Sequence, residues 1–389
     1  MRLLAVGNGK SVHVIGRVEA MGRRGHAVRL LTEIPGEKAN QLTPPPRAKA
    51  PQILRYLWRM LRTQPADAVH VHYAAGYGAW LAGACGRAPL VVSVMGGDIL
   101  ADEQMGQNVL ERWLTRSLLR RADLVTSKSA ELTNHLTRIG VAPQRILPLV
   151  WGVDETLFRR RDATALRTRM GLAPTARVVL SPRALRPFYN IHVIVDAFAA
   201  MATASPDAVL VITEYQADAD YREMLRRRIE SAGLADRVHF VGKVEIDEMA
   251  DYYSLAEMVV SIPASDGIPQ SLLEALACGV PVILSDLQCY HEWVADGVSA
   301  LMIAIETADL AAAMARLLED GRLRTGLAAA GLEVIAKGGG LEANLDRLDA
   351  ALSRLPRGMG RSPSLAVLVG VMILMMARAL AARLPFLRQ

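Results

Sequence analysis

Short apolar runs that end in glycine or polar residues alternate with helix-length amphipathic segments along most of this chain, and no other feature restricts its fold as much. Leu3–Val6 runs into Gly7-Asn8-Gly9, Val12–Arg24 follows with helical spacing and stops at Gly25, and Val28–Thr32 is a second apolar run. Pro44-Pro45-Pro46 marks a loop, and Pro51–Arg62 places Trp58 and Leu61 on one helical face. Ala68–Val71, Leu90–Val94 and Leu124–Thr126 are further runs. A strand that must rejoin its sheet in parallel needs a long crossover, and a helix supplies it while covering the sheet face. The pattern therefore predicts a parallel sheet covered on both sides.

Between about 150 and 175 the alternation stops. Trp151-Gly152-Val153-Asp154, the basic run Arg159-Arg160-Arg161 and Gly171-Leu172-Ala173-Pro174 fill the gap. It then restarts with strands at Val178–Leu180, Val209–Thr213, Val238–Val241, Met258–Ser261 and Val280–Leu284, separated by helices such as Ile191–Met201 and Tyr221–Ala232. A chain of 389 residues exceeds one ordinary core, because a single core stops growing beyond ~250–300 residues. We read an N-terminal α/β domain over 1–158, a C-terminal α/β domain over 159–355 and a basic, hydrophobic tail over 356–389. Ligands of such sheets bind beyond the carboxyl ends of the strands, so the expected site is a cleft between the two α/β domains.

Charge narrows the partners. The net charge is +6, which suits diphosphate substrates or an anionic lipid surface. The basic residues are scattered and form no block interleaved with aromatics, which argues against nucleic acid. Cys85, Cys278 and Cys289 are odd in number and form no Cys-x-x-Cys pair, so reduced, intracellular thiols are expected. MRLLAVGNGK reads as a strand and a glycine turn, without an apolar core of signal-peptide length.

The segment Ser261–Glu274 carries the chemistry. A strand ends, a loop containing Gly267 turns, and a helix begins near Pro269 and runs to Cys278 ahead of Gly279. Proline at the start and glycine beyond the end are the expected punctuation. The free N–H groups of such a helix start attract an anion, and a diphosphate fits it. Asp266 before the helix and Glu274 one to two turns into it are placed to accept hydrogen bonds from sugar and ribose hydroxyls. Taken alone, the pair also reads as a loop acid and a solvated helix acid.

Asp266-x7-Glu274, followed by Ala275-Leu276-Ala277-Cys278-Gly279-Val280-Pro281, resembles the Glu-x7-Glu motif of retaining glycosyltransferases of family 4, which have the GT-B fold. His13, the run Arg23–Val28, His70-Val71-His72-Tyr73 with Gly76-Tyr77-Gly78, Gly96-Gly97-Asp98, Gly152-Val153-Asp154 with Phe158, and Ser181-Pro182-Arg183 are similar to its other blocks, in order, over residues 1–355. The resemblance implies two Rossmann-like domains facing each other across a cleft and a nucleotide-sugar donor carrying UDP or GDP, with no obligatory metal cofactor. It assigns Asp266 to the transferred sugar, Glu274 to the ribose, Arg183 to the leaving phosphate, and the backbone of Gly267, Ile268, Pro269, Gln270 and Ser271 to the diphosphate. Gly242 would lie near the base, Gly9, Ser11, His13, His72, Gly96 and Gly97 would form the acceptor side, and Asp98 would join Asp266 and Arg183 as a catalytic residue, lining the wall near the reacting sugar. The acceptor would be a glycan or a lipid-linked molecule of the cell envelope, handled in the cytoplasm at the inner face of the membrane.

Three positions depart from the family. The acid pair opens with Asp266, one methylene shorter than Glu. The place of a usual Lys holds Tyr189 or Asn190, which leaves Arg186 as the nearby cation, and Met95 replaces a His before the Gly-x-Asp turn. Rival readings weaken on spacing. Gly9-Lys10-Ser11 lacks the upstream glycine of a P-loop, where Leu4 stands, and Val12 replaces the third glycine of a dinucleotide fingerprint. An NAD-dependent oxidoreductase is thus a distant alternative, behind a GT-B epimerase and a non-catalytic transferase partner. Asp218-Ala219-Asp220 reads as helix-capping acids, not a metal site. In the tail, Ser362–Ala377 is uncharged and flanked by arginines that include Arg357, Arg361, Arg378 and Arg388. It is shorter than the ~20 residues a spanning helix needs. A short anchor, a helix in the membrane plane and a helix packed on the enzyme all remain open, with the basic flanks favouring membrane contact.

Overall fold

The computed structural model describes residues 1–36, 40–99, 108–356 and 361–383. Arg357 and Arg388 of the tail lie outside the described residues. The chain forms two compact units, Met1–Val150 with Leu345–Gln389, and Trp151–Asn344.

The first unit runs β1 (Arg2–Val6), α1 (Val12–Arg23), β2 (Ala27–Leu31), β3 (Gln41–Leu42), α2 (Ala50–Thr63), β4 (Ala68–His72), α3 (Tyr77–Cys85), β5 (Leu90–Ser93), α4 (Val109–Arg121), β6 (Leu124–Ser127), α5 (Ala130–Arg138) and β7 (Ile146–Pro148). Its sheet has the order β3-β2-β1-β4-β5-β6-β7, and every pairing is parallel. The strand order reverses between β1 and β4, where Val6 pairs with Val71, so the loops after these two strands open side by side.

The second unit runs α6 (Thr164–Arg169), β8 (Arg177–Ser181), α7 (Ile191–Ala202), β9 (Ala208–Ile212), α8 (Ala219–Ser231), β10 (Val238–Phe240), α9 (Ile246–Leu255), β11 (Ala256–Ser261), α10 (Gln270–Ala277), β12 (Val282–Ser285), β13 (Leu301–Ile303), α11 (Thr307–Glu319) and α12 (Gly321–Val334). Its parallel sheet is ordered β10-β9-β8-β11-β12-β13. Here the reversal falls between β8 and β11. Both units are thus doubly wound α/β folds.

Gly152 shows why the Gly-Val-Asp block has its spelling. Its φ is +70°, and a Cβ there would meet the Gly340 carbonyl at 2.6 Å. The neighbouring Val153 bridges Gly340, Asp154 folds its carboxylate onto the Thr156 amide at 3.0 Å, and Phe158 is buried against Tyr253.

The last two helices among the described residues are α13 (Leu341–Ser353) and α14 (Leu365–Arg383). α13 is held to the first unit by Asp349, which takes Arg24 at 2.7 Å and His26 at 2.8 Å. His26 is therefore structural. α14 lies over α3 and α4, with Val367, Val371 and Leu374 buried in the same core as Trp80, Leu114 and Leu118. This contact explains α3, whose residues from Gly78 to Cys85 are all buried. A helix that is apolar all round has to be enclosed; the sheet covers one side of α3, and α14 joins its cover on another. No helix among the described residues is long and apolar enough to cross a membrane. Cys85, Cys278 and Cys289 are buried free thiols.

Candidate functional site

The strand-order reversal of the second unit positions its polar centre. β8 and β11 are adjacent, Leu180 pairing with Val259, so the loops that follow them emerge together. The first loop carries Arg183 and the second carries Asp266. Arg183 Nη1 donates to Asp266 Oδ2 at 2.7 Å and to Ser261 Oγ at 3.2 Å. Its guanidinium lies 4.5 Å from the centre of the Tyr189 ring, a cation–π distance. Tyr290 donates its hydroxyl to the same Asp266 Oδ2 at 2.9 Å, and the Gly267 amide donates to Oδ1 at 2.9 Å. Burial works against the Arg183 charge, but Asp266 outweighs it and the pKa is raised. Burial and Asp266 together raise the Tyr290 phenol. At neutral pH the cluster therefore holds a cation and a neutral hydroxyl.

Asp266 has little capacity left. Each carboxylate oxygen accepts about two hydrogen bonds. Oδ2 takes Arg183 and Tyr290, and Oδ1 takes Gly267, so one acceptor position is left on Oδ1. The shorter side chain that departs from the family's Glu is thus matched by two side-chain donors that hold it in place.

The loop then enters α10. Pro269 precedes the helix and no side chain caps this end, which leaves the first-turn amides of an eight-residue helix directed at the loop. Ile268 is packed in the core, and Gln270 Nε2 donates to the Gly152 carbonyl at 2.7 Å, which fixes the entry to the helix. Glu274 sits one turn further along. It is 9% exposed and accepts from Tyr253 Oη at 2.9 Å. Burial lifts its pKa to about 7, although the Tyr253 hydrogen bond and the Arg183 charge pull it down. Burial and Glu274 push the Tyr253 phenol well above its ordinary value.

Other residues expected on the donor side have different surroundings. Arg186 is exposed, and its Nε donates to the Gln216 carbonyl at 3.1 Å. The side chain beside Arg183 is the Tyr189 ring. Gly242 takes a φ of +71°, and its amide donates to Glu214 Oε2 at 2.9 Å. Asp218 caps α8 by accepting from the Tyr221 amide at 2.9 Å.

In the first unit the sheet reversal gathers the residues expected on the acceptor side. The Gly9 amide donates to Thr32 Oγ1 and to the Ile34 carbonyl, both at 3.0 Å. A Cβ on Gly9 would stand 2.8 Å from that carbonyl, so the close approach requires glycine. Ser11 caps α1 through the Val14 amide at 3.4 Å, and His13 is exposed at the helix start. His70 and His72 share one face of β4, stacked 4.1 Å apart, and both are buried. His70 meets Ser93 Oγ at 2.9 Å. Burial, with Arg17 nearby, drives the His70 pKa down to about 3 and that of His72 well below its ordinary value. Both rings are therefore neutral at pH 7.

Asp98 is turned into its own loop. It is buried, and it accepts from the Met95 and Gly96 amides at 2.9 Å and from Ala74 at 2.7 Å. Gly96 bends with a φ of +107° just before Gly97. The carboxylate thereby ties the Gly96-Gly97 turn to the end of β4. Glu33, which no sequence motif marks, receives the Gly78 and Tyr77 amides at the start of α3. Trp80 is core and donates to Thr115 at 3.1 Å, whereas Trp113 is 41% exposed.

Residues 162–334 match the family model Glycosyl transferases group 1, and residues 7–157 match the model Glycosyltransferase Family 4. The chain belongs to glycosyltransferase family 4. The family 4 chain is 26% identical over 263 residues to N-acetyl-alpha-D-glucosaminyl L-malate synthase of Bacillus anthracis, a match covering 66% of each chain. It is 28% identical over 286 residues to D-inositol 3-phosphate glycosyltransferase of Nocardia farcinica, covering 70% of this chain and 63% of the relative. The match thus spans slightly under two thirds of either relative's length. The fold is also that of Anabaena HepE, solved in complex with UDP and glucose, with a TM-score of 0.75, 20% identity, and coverage of 91% of this chain and 100% of that one. Both units of this family 4 fold hold the motifs that carried the resemblance, and Tyr253, Ser261 and Tyr290 complete the polar centre around them.

Proposed function

We propose that this protein transfers a sugar from a UDP- or GDP-sugar to a glycan or lipid-linked acceptor in envelope synthesis, with retention of anomeric configuration. One observation carries the reading. A buried, paired Arg183 stands beside the uncapped start of α10, with a buried carboxylate, Glu274, one turn into the helix.

In this reading the diphosphate lies against the α10 start and Arg183. The bond from the anomeric carbon to the phosphate oxygen breaks through an oxocarbenium-like state. The acceptor hydroxyl adds to the same face, and its proton passes to the departing phosphate oxygen. Negative charge grows on that phosphate as the bond breaks. A fixed guanidinium and helix amides aimed at this charge stabilise the transition state more than the ground state. Glu274 accepts from the ribose hydroxyls. The remaining acceptor position of Asp266 Oδ1 takes one hydroxyl of the transferred sugar, and Asp266 otherwise holds Arg183. No metal is assigned a role, because Arg183 and the helix start meet the phosphate charge.

Calorimetric titration of the full chain with UDP- and GDP-sugars, and with NAD as a control, tests this reading. Binding of a nucleotide sugar that is lost in Glu274→Ala supports it. NAD binding without nucleotide-sugar binding, or an unaltered Glu274→Ala variant, removes it.

A further inference from the structure

The last helix, α14, is apolar on two sides, and the described residues cover only one of them. Val367, Val371 and Leu374 face the first unit, and Gly370 allows a close approach to Trp113 and Leu114. On the other side Leu365, Val369, Met372, Ile373, Met376 and Leu380 are all exposed, from 46% for Val369 to 73% for Leu365. Their spacing of three and four residues makes one continuous stripe along the helix. Arg378 is the only charge between Leu365 and Leu380. On the adjoining α4, Val109 and Trp113 are exposed as well. A contiguous apolar surface of this kind marks a binding face.

Charge identifies the occupant. α2, α3, α4 and α14 form one packed layer on this side of the sheet, as their mutual contacts show. In sequence these four helices hold nine arginines and one acid, Glu111. The layer is thus more positive than the whole chain, whose net charge is +6, and the rest of the protein is net negative. Two copies meeting through this face would bring two such layers together, a like-charge juxtaposition that costs several kcal/mol. An anionic bilayer meets both demands, with acyl chains for the stripe and headgroups for the arginines of this layer. Arg378, over the Tyr77 ring and paired with Glu111, sits where the stripe ends.

We propose that the outward face of α14, with the exposed start of α4, seats this protein in the plane of an anionic lipid bilayer. The helix lies in the interface and does not cross it. The inference goes beyond the transferase reading and does not depend on it, since it rests on a surface of the first unit alone.

Flotation of the full chain with vesicles tests it, using pure phosphatidylcholine and a mixture of one part phosphatidylglycerol to two parts phosphatidylcholine. The expected result is binding to the anionic vesicles that weakens as salt is raised, and much less binding to the neutral ones. Val369→Asp combined with Ile373→Asp, both on the exposed stripe, should weaken binding at least tenfold with the melting temperature unchanged. Val298→Asp, an exposed apolar residue of the second unit, should leave binding unaltered. Met376→Asp alone serves if the double variant does not fold. A wild-type chain that stays in the aqueous fraction with anionic vesicles overturns the proposal. So does a dimer in light scattering that the stripe variants convert to a monomer, because the stripe would then be covered by a second copy. Equal binding to neutral and anionic vesicles would remove the role given to the arginine layer.

Discussion

Tyr253→Phe isolates a single hydrogen bond between two buried groups, and its effect can be worked out with a sign. The phenol donates to Glu274 Oε2 at 2.9 Å, and Tyr253 is 0% exposed. Burial lifts the Glu274 pKa from 4.5 to about 7. Between these values the folded chain keeps a proton that the unfolded chain has released. The contribution of Glu274 to stability is therefore greatest below about pH 4.5, falls as pH rises, and levels off above about pH 7. Across the window the fall is about 3 kcal/mol, because each pH step of one between the two values contributes roughly 1.4 kcal/mol. Removing the hydroxyl costs about 1 kcal/mol when it faces a neutral carboxyl and about 2.4 kcal/mol when it faces a carboxylate. The difference, about 1.4 kcal/mol, raises the folded pKa by about one. Urea unfolding at about pH 5.5 and about pH 9 should therefore give a larger loss for the variant at the alkaline pH. Nucleotide-sugar affinity, which needs the carboxylate in the proposed reading, should move its midpoint to higher pH by the same amount. Equal losses of stability at the two pH values would refute the reasoning, since the hydroxyl would then not distinguish the two forms of Glu274.

Three further outcomes are expected. Arg183→Lys keeps a charge but loses the planar guanidinium that reaches Asp266 and Ser261 through Nη1 and lies over the Tyr189 ring; turnover should fall by ~100-fold with only a small change in melting temperature. Gly152→Ala puts a Cβ 2.6 Å from the Gly340 carbonyl at a φ of +70°, and calorimetry should record a loss of about 2 kcal/mol or more. Leu374→Ala, on the covered side of α14, should cost about 2–4 kcal/mol in urea unfolding, whereas Met376→Ala on the exposed side of the same helix should be close to neutral.

Much of the fold is legible in the sequence because strand and helix patterns are local. Alternation locates most strands of both sheets, and the glycine and proline around α10 mark its ends within a residue. Short edge strands such as β3 and β7 carry too few residues for a period to show. The donor-side motif is legible in its spacing, and the helix start, Arg183 and Glu274 stand in one unit as that spacing implies. The surroundings of each residue are not. Sequence gives Arg186 the role of the missing cation, yet its partner is a loop carbonyl and a tyrosine ring occupies the place beside Arg183. Asp98 reads as lining a wall, yet its carboxylate holds three amides of its own neighbourhood.

The sequence by itself determined that this chain forms two doubly wound α/β units and that an acid pair flanks a helix start, because those patterns repeat over a few residues. Tertiary structure decided which side chains complete the site. Tyr253 and Tyr290 lie 21 residues before Glu274 and 24 after Asp266, and only the strand order brings their hydroxyls within 2.9 Å of the carboxylates. It also decided the state of the tail. An apolar run can bury any of its faces, and the groove over α3 and α4 selected one of them. Among the described residues, the opposite face is the one left exposed.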